Sequence, residues 1–238
     1  MYLSCINYYV DRNCNFGVVS AVLLVNVYVL QHLPRTIVVP FLTLCACITV
    51  GVSKGLKRII KQPRPPGAPK ASPGMPSNHA TSLSFLSVVT VYVLQRYASS
   101  TPAVGGANQT LFHTPPLPSL PLPYVRPLQT LIAVYSVYAT GLRVAQGHHT
   151  VAQVTAGYLL GCTFAICSLA ANHSGYTGSR FGGRVDELPL PEKVILLFAS
   201  VAISAMAMRS IVLGARASRV ARTSAPVMAR VDERERRK

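Results

Sequence analysis

Six apolar segments follow one another along the 238-residue chain, separated by polar or proline-rich connections. None alternates apolar and polar positions as a half-buried strand does, so each segment is predicted to form a helix. Runs of this length suit membrane spans of roughly 20 residues. The pattern therefore predicts an all-α fold, an integral membrane bundle of about six transmembrane helices. The segments cover residues 16–33, 36–52, 79–94, 128–142, 150–171 and 194–208.

The connections divide the chain unevenly. Residues 1–215 are predicted to form one membrane domain, and the Arg-rich residues 216–238 a solvated basic tail. Residues 99–127 are rich in proline and are expected to form an extended surface loop inserted into that domain. Asn26 and Gln31 interrupt the first apolar segment and are expected to face other helices.

Charge is scarce and one-sided in this sequence. Only 13% of the residues are charged and 50% are hydrophobic, whereas soluble domains carry about 25% charged residues. Lys and Arg number 23 against 7 Asp and Glu, and no carboxylate lies between Arg12 and Val185. Paired-carboxylate catalysis and oxygen-ligated metal sites are thereby excluded from the middle of the chain. We expect a site without metal or cofactor, built from His, Lys, Arg and hydroxyl groups, that acts on an anion.

Three polar clusters, at residues 57–65, 74–80 and 143–149, lie at the ends of apolar segments. If the helices cross the membrane alternately, all three clusters fall on one face. Each alone also fits a simpler role: binding of lipid headgroups, a helix cap, or an interfacial histidine. Pro63 and Pro65 should end the preceding helix and fold Arg64 back. Together the clusters supply what phosphoryl transfer needs, namely cations, a nucleophile and a proton donor.

The spacing of these residues resembles the three-part signature of the type 2 phosphatidic acid phosphatase superfamily. The matching motifs are Lys57-x6-Arg64-Pro65, Pro76-Ser77-x-His79 and Arg143-x5-His149. The stretches GMPSNHA and RVAQGHHTVAQV resemble the dolichyl-diphosphatase branch of that superfamily. Two positions depart from the general pattern: Leu142 replaces the usual Ser, and Gln153 replaces the usual Asp. Gln at that position is similar to what dolichyl diphosphatases carry.

The resemblance implies a role for each matching residue. His149 would attack the terminal phosphorus and form a phosphohistidine, and His79 would protonate the leaving group and then help to activate water. Gln153, one turn after His149, would orient the histidine ring. His148 is the adjacent candidate, but the six-residue spacing from Arg143 favours His149. The residues implied to hold the phosphoryl oxygens are Lys57, Arg64, Ser77, Asn78 and Arg143.

The implied activity is a dolichyl-diphosphate phosphatase, a hydrolase that releases phosphate and recycles dolichyl phosphate for protein N-glycosylation. Its partners would be the polyprenyl lipid and the membrane, and not nucleic acid. The resemblance implies a multi-pass protein of the endoplasmic reticulum membrane with a lumenal site, whereas the concentration of basic residues on the motif face favours a cytosolic one. Two alternatives remain: a phosphatase of another lipid phosphate or isoprenyl diphosphate, and a non-catalytic membrane protein that binds anionic lipids.

Overall fold

A computed structural model of the protein describes residues 2–31, 38–68, 72–99, 122–174 and 188–235. Within these ranges the chain forms six α-helices and no strand, which confirms the predicted all-helical fold. The helices are α1 (Tyr2–Gln31), α2 (Val38–Ile60), α3 (Asn78–Ser99), α4 (Leu122–Ala145), α5 (Val151–Ser174) and α6 (Leu190–Glu235).

Several helix ends differ from the sequence-based boundaries, and among them is the start of α1, which lies at Tyr2 rather than at residue 16. Helix α2 continues to Ile60, through eight residues that were predicted as connection, because no proline lies between Val52 and Pro63. Helix α4 begins at Leu122, inside the predicted loop 99–127, because a proline in the first helical turn removes a backbone N–H that has no helical partner. Residues 100–121 of that predicted loop lie outside the described ranges.

The last helix extends far beyond its apolar part. Helix α6 runs to Glu235 and so includes most of residues 216–238, the predicted basic tail. Arg and Ala are frequent there, and their high helix propensity favours continuation of the helix beyond its apolar part. A helix of 46 residues is about 70 Å long, more than twice the thickness of a bilayer core.

Helix α3 lies at the centre of the packing, with α5 as its most extensive neighbour and α4 and α2 beside it. The main apolar core joins α2, α3 and α5. The core residues are Val38, Leu42, Phe85, Val89 and Ala165.

Three of the described helices are long and apolar enough to cross a membrane by length and composition, within Val38–Ile60, Val151–Asn172 and Leu190–Ser210.

A buried polar network ties α1 to α2 and α6. Asn26 is fully buried; its amide donates to Thr43 Oγ1 at 2.9 Å, and Ser200 Oγ donates to Asn26 Oδ1 at 2.9 Å. The expectation that Asn26 faces other helices is therefore confirmed. The side chain of Gln31 lies outside the described residues.

Candidate active site

The turn between α4 and α5 carries the predicted nucleophile, His149. Gly147 in this turn has φ +69°, a backbone conformation that favours glycine. The N–H groups of His148 and His149 both donate to the carbonyl oxygen of Arg143, at 3.0 and 3.2 Å. The chain thus reverses tightly between the two helices and brings His149 next to the end of α4.

His149 is buried, with an exposed fraction of 4%, and both of its ring nitrogens have polar neighbours. Nδ1 lies 3.1 Å from Gln153 Oε1, and Nε2 lies 3.2 Å from Arg64 Nη1. Burial is the main reason why the pKa of His149 is lowered to about 4; the positive charges of Arg64, Lys57 and Arg143 contribute in the same direction, and the hydrogen bond to Gln153 opposes them. At neutral pH the ring is therefore uncharged and keeps one lone pair.

Arg64 reaches His149 from the segment that follows α2. The helix ends at Ile60, Lys61 takes φ +50°, and the chain then turns, so the predicted folding back of Arg64 is confirmed. Arg64 Nε donates to the carbonyl oxygen of Ser72, and Nη1 to that of His148, both at 2.9 Å. Burial lowers the pKa of Arg64, and the nearby charge of Arg143 adds to this. The guanidinium remains charged because even a lowered arginine pKa stays above neutrality.

Gln153 connects the three predicted motifs. Its side chain is fully buried; Oε1 accepts from the Thr150 N–H at 3.3 Å, and Nε2 donates to the carbonyl oxygen of Pro63 at 2.7 Å. Its backbone carbonyl accepts from the Ser77 N–H at 2.9 Å. Gly74 packs against the amide so closely that a Cβ there would overlap it. The side chain is therefore held on all sides by backbone.

The second motif lies at the N-terminus of α3, which begins at Asn78. Ser77 precedes the helix, and its carbonyl accepts from the Thr81 N–H at 3.0 Å. Its hydroxyl does not cap the helix: Ser77 Oγ is buried and has no hydrogen-bond partner among the described residues. A buried hydroxyl beside the free N–H groups of a helix start suits a phosphoryl oxygen. His79, half-buried, is the second residue of the same helix.

Two residues that support this site were not identified from the sequence. Ser53 is fully buried on α2, one turn before Lys57, and its Oγ donates to Asn78 Oδ1 at 2.7 Å. Thr81 Oγ1 donates to the carbonyl of Ser77 at 2.9 Å and approaches Ser53 Oγ at 3.4 Å. These contacts fasten the start of α3 to α2. The only sequence signal was the four-residue spacing of Ser53 from Lys57, which places both on one helical face.

The chemistry available to this arrangement follows from its charges. Lys57, Arg64 and Arg143 lie close enough to His149 to act on its pKa, and the described part of the chain contains no group of three or more His, Cys, Asp or Glu that could hold a metal ion. Cations of this kind bind phosphoryl oxygens, and a neutral buried histidine is a nucleophile. The site is suited to attack on a phosphorus atom.

Comparison with known proteins agrees with this geometry. Residues 38–175 match the PAP2 superfamily over more than half of the chain, so the chain belongs to that superfamily. It is similar to Lipid phosphate phosphatase epsilon 2, chloroplastic, of Arabidopsis thaliana, with 33% identity over 114 residues, 48% of this chain and 32% of the relative. It is also similar to Lipid phosphate phosphatase epsilon 1, chloroplastic, of the same plant, with 35% identity over 111 residues, 47% of this chain and 32% of the relative.

The aligned region is short relative to these two plant proteins. The chain spans about a third of the length of the curated relatives it matches. No solved structure gives a significant match to the chain. The superfamily is thus confirmed, while the dolichyl-diphosphatase branch stays a prediction.

Proposed function

We propose that this protein is a metal-independent lipid phosphate phosphatase that works through a phosphohistidine on His149. The observation that carries the proposal is a buried, neutral histidine whose Nε2 lies 3.2 Å from Arg64, with Lys57 and Arg143 close by and no carboxylate among them. A site that only bound anionic lipid headgroups would need the cations but no nucleophile.

In the first step, His149 Nε2 attacks the terminal phosphorus of the lipid. An N–P bond forms while the P–O bond to the rest of the lipid breaks, and His79 donates the proton to the departing oxygen. Arg64 Nη1, which contacts Nε2 in the resting site, turns its donor to the phosphoryl oxygens. Lys57, Arg143, Ser77 and the N–H of Asn78 hold those oxygens as negative charge builds on them.

In the second step, water cleaves the phosphohistidine. His79, now neutral, accepts a proton from the attacking water, whose oxygen bonds to phosphorus as the N–P bond breaks. Inorganic phosphate leaves, His149 returns to its neutral form with the Nε2 lone pair restored, and His79 ends the cycle protonated. The hydrogen bond from Ser53 to Asn78 keeps the start of α3 in place through both steps.

For the substrate we propose dolichyl diphosphate, hydrolysed to dolichyl phosphate and phosphate. The resemblance of the GMPSNHA and RVAQGHHTVAQV stretches to dolichyl diphosphatases supports this choice. The second candidate is a glycerol-based lipid phosphate such as phosphatidate, because the two plant relatives are named lipid phosphate phosphatases. Both substrates present a terminal phosphate at the membrane surface and a long apolar tail.

The same proposal places the chain in the endoplasmic reticulum membrane as a multi-pass protein, with the site facing the lumen. The two plant relatives are chloroplastic by name, and the basic residues of the motif face favour a cytosolic site. Cysteine labelling from each side of sealed microsomes, with Cys introduced at the exposed Ser72 between α2 and α3, would separate the two orientations. We expect Ser72→Cys to be labelled from the lumenal side.

The activity is tested with purified full-length protein in detergent and three samples: dolichyl diphosphate, phosphatidate, and phosphatidylinositol, which has no terminal phosphate. We expect phosphate release from the diphosphate in the presence of a strong chelator, and none from the last lipid. Faster release from phosphatidate would support the second candidate. Binding of all three without any release would overturn the enzymatic proposal.

A further inference from the structure

The amide of Gln153 can be oriented from its backbone neighbours alone. The carbonyl oxygen of Pro63 can only accept a hydrogen bond, so the group 2.7 Å from it must be the Gln153 NH2. The Thr150 N–H can only donate, so the group 3.3 Å from it must be Oε1. Both neighbours agree, and the assignment does not depend on the histidine.

This orientation determines which tautomer His149 adopts. Oε1 also lies 3.1 Å from His149 Nδ1, and an amide oxygen is only an acceptor, so Nδ1 carries the proton. In the neutral ring Nε2 then has the lone pair. Nε2 faces Arg64 Nη1, which can only donate, at 3.2 Å, so this contact favours the same tautomer.

We propose that Gln153, whose oxygen orients His149 as the resemblance implies, has a second task as a positioning residue: its NH2 ties the Arg64-bearing segment to that histidine. This inference rests on the proposed function in taking His149 as the nucleophile. Pro63 directly precedes Arg64, so the Gln153–Pro63 hydrogen bond holds the backbone that carries Arg64, while the carbonyl groups of Ser72 and His148 hold its guanidinium. One neutral amide does both tasks because it has an acceptor and a donor at its two ends.

A carboxylate could perform only the first task. Glu has the length of Gln and its oxygen would still accept from His149 Nδ1, but its second oxygen would face the Pro63 carbonyl oxygen where Gln now donates. Its negative charge would also favour a protonated His149 against the three cations that face the ring, Lys57 on α2, Arg64 after α2 and Arg143 on α4. Glu at this position should therefore free the segment that carries Arg64. It should also reduce the fraction of His149 that is in the neutral, nucleophilic form.

The kinetic test compares wild type, Gln153→Glu and Gln153→Leu by phosphate release from dolichyl diphosphate and from phosphatidate across pH 4–9. The matched control is Asn26→Asp, because the fully buried Asn26 Nδ2 likewise donates to a backbone carbonyl, that of Val22 at 2.8 Å, away from the site. We expect Gln153→Glu to lower kcat about 10- to 100-fold, as loss of a hydrogen bond in a charged site does, and to move the acid limb of kcat/KM toward neutral pH. Gln153→Leu should lower kcat without that shift, and Asn26→Asp should keep the wild-type profile.

The tautomer is measured separately, by ¹⁵N NMR of histidine-labelled protein in lipid, with His149→Ala identifying the signal. We expect a neutral ring protonated at Nδ1 in wild type, and a mixture of tautomers in Gln153→Leu. A wild-type ring protonated at Nε2, or Gln153→Glu with wild-type turnover and profile, would overturn the inference. If wild type hydrolyses neither lipid but shows the Nδ1–H tautomer, the proposed function fails while the tautomer selection stands.

Discussion

At the scale of single residues, the site combines a cluster of positive charges with a histidine that is uncharged at neutral pH. Three cations surround a histidine that is itself kept uncharged, because burial and those same cations lower its pKa to about 4. In the proposed mechanism the cations bind the phosphoryl group, and burial, with help from the same cations, lets the histidine keep its lone pair. Arg64 donates to that lone pair in the resting site at 3.2 Å, so the substrate must draw the guanidinium away before the nitrogen can attack.

The acid limb of the pH profile should reflect this lowered pKa. Protonation of His149 removes the attacking lone pair, so activity falls as pH falls through the pKa of the free enzyme. With a pKa of about 4, kcat/KM should stay level down to about pH 5, whereas an ordinary histidine would lose half its activity near pH 6.5. The rates are corrected for the ionisation of the substrate phosphate, followed by ³¹P NMR. A limb that remains near pH 6.5 after correction would contradict the buried neutral histidine.

The nucleophile itself is tested by His149→Ala, which should abolish phosphate release while the protein still folds. Brief incubation with ³²P-labelled dolichyl diphosphate and a quench in base should leave label on wild type and none on the variant, since phosphohistidine survives base. His148→Ala is the matched control: the contacts of His148 with Arg143 and Arg64 are made by its backbone, so most turnover should remain. Label on the His149→Ala variant, or loss of label from the His148→Ala variant alone, would show that His148 and not His149 is the nucleophile.

Motif spacing could predict the side chains that would touch the substrate, but not the groups that hold them. Lys57, Arg64, Arg143 and His149 follow from spacing and are brought together. Ser53 was missed because its one signal, the four-residue spacing from Lys57, is shared by many residue pairs in any helix. The carbonyl groups that hold Arg64 and Gln153 were missed for a more general reason: every residue has a carbonyl, so the sequence does not indicate which of them accept.

At the scale of helices, the site depends on how closely α5 approaches the start of α3. Gly157 lies two turns into α5, and a Cβ on it would sit 2.5 Å from the Ser77 carbonyl oxygen and 3.0 Å from the Ser77 nitrogen. Gly161, one turn further, is similarly close to the backbone of Thr81. Small residues allow backbones to approach in this way in membrane bundles. The approach lets Ser77 N–H reach the Gln153 carbonyl at 2.9 Å.

Gly157→Ala should therefore move the Ser77 motif at the start of α3 away from the His149 motif before α5. The added methyl forces α3 away from α5, at a cost of about 1–3 kcal/mol of stability, and turnover should fall more than about tenfold as Ser77 moves. The control is Gly51→Ala on α2, where a Cβ meets nothing within 4 Å and stability should rise by about 0.5–1 kcal/mol. Thermal unfolding in detergent and phosphate release are measured for both. Equal behaviour of the two variants would show that the close crossing does not matter.

The Asn26 network acts at the same scale but away from the chemistry. Asn26→Ala removes the hydrogen bonds to Thr43 and Ser200, yet each partner keeps a carbonyl acceptor on its own helix, at 2.9 and 2.8 Å. The cost should therefore be small, about 0.6–1.7 kcal/mol, with kcat unchanged. Leu24→Ala, which is 68% exposed on the same helix, should change stability less. A large loss of kcat in Asn26→Ala would mean that α1 positions the site, contrary to this expectation.

Helix ends were harder to predict than helix existence. The apolar segments gave the right number and order of helices, because burial of an apolar face decides where a helix forms. Hydropathy does not register a helix that continues past its apolar part, as α2 does to Ile60 and α6 does to Glu235. In these stretches the residues that stop a helix decide where it ends. Pro63 lies closer to the end of α2 than Lys54 does, the first lysine after the apolar part.

At the scale of the whole molecule, the bundle offers a path for the apolar tail of a lipid. A groove of about 800 Å³ lies between α3, α4 and α5. It reaches from Gln95 and Gln129 to Tyr158, which lies two turns, about 10 Å, into α5 from the site end. Its walls are largely apolar, with Val88, Val91 and Leu169 among them. A substrate whose phosphate lies at His149 could lay its tail along this groove in the membrane.

Ala133→Trp tests whether the tail uses the groove. Ala133 lines it on α4, and an indole there would displace about two methylene groups of a bound chain, worth about 0.8 kcal/mol each. We therefore expect KM for dolichyl diphosphate to rise about tenfold, with little change for a water-soluble diphosphate of two or three isoprene units, whose short tail ends before Ala133. The matched control is Val134→Trp, which places the same indole on the lipid-facing side of α4, where Val134 is 59% exposed. An equal loss with both substrates would mean that the indole disturbs the fold rather than the tail, and no change with either would place the tail outside the groove.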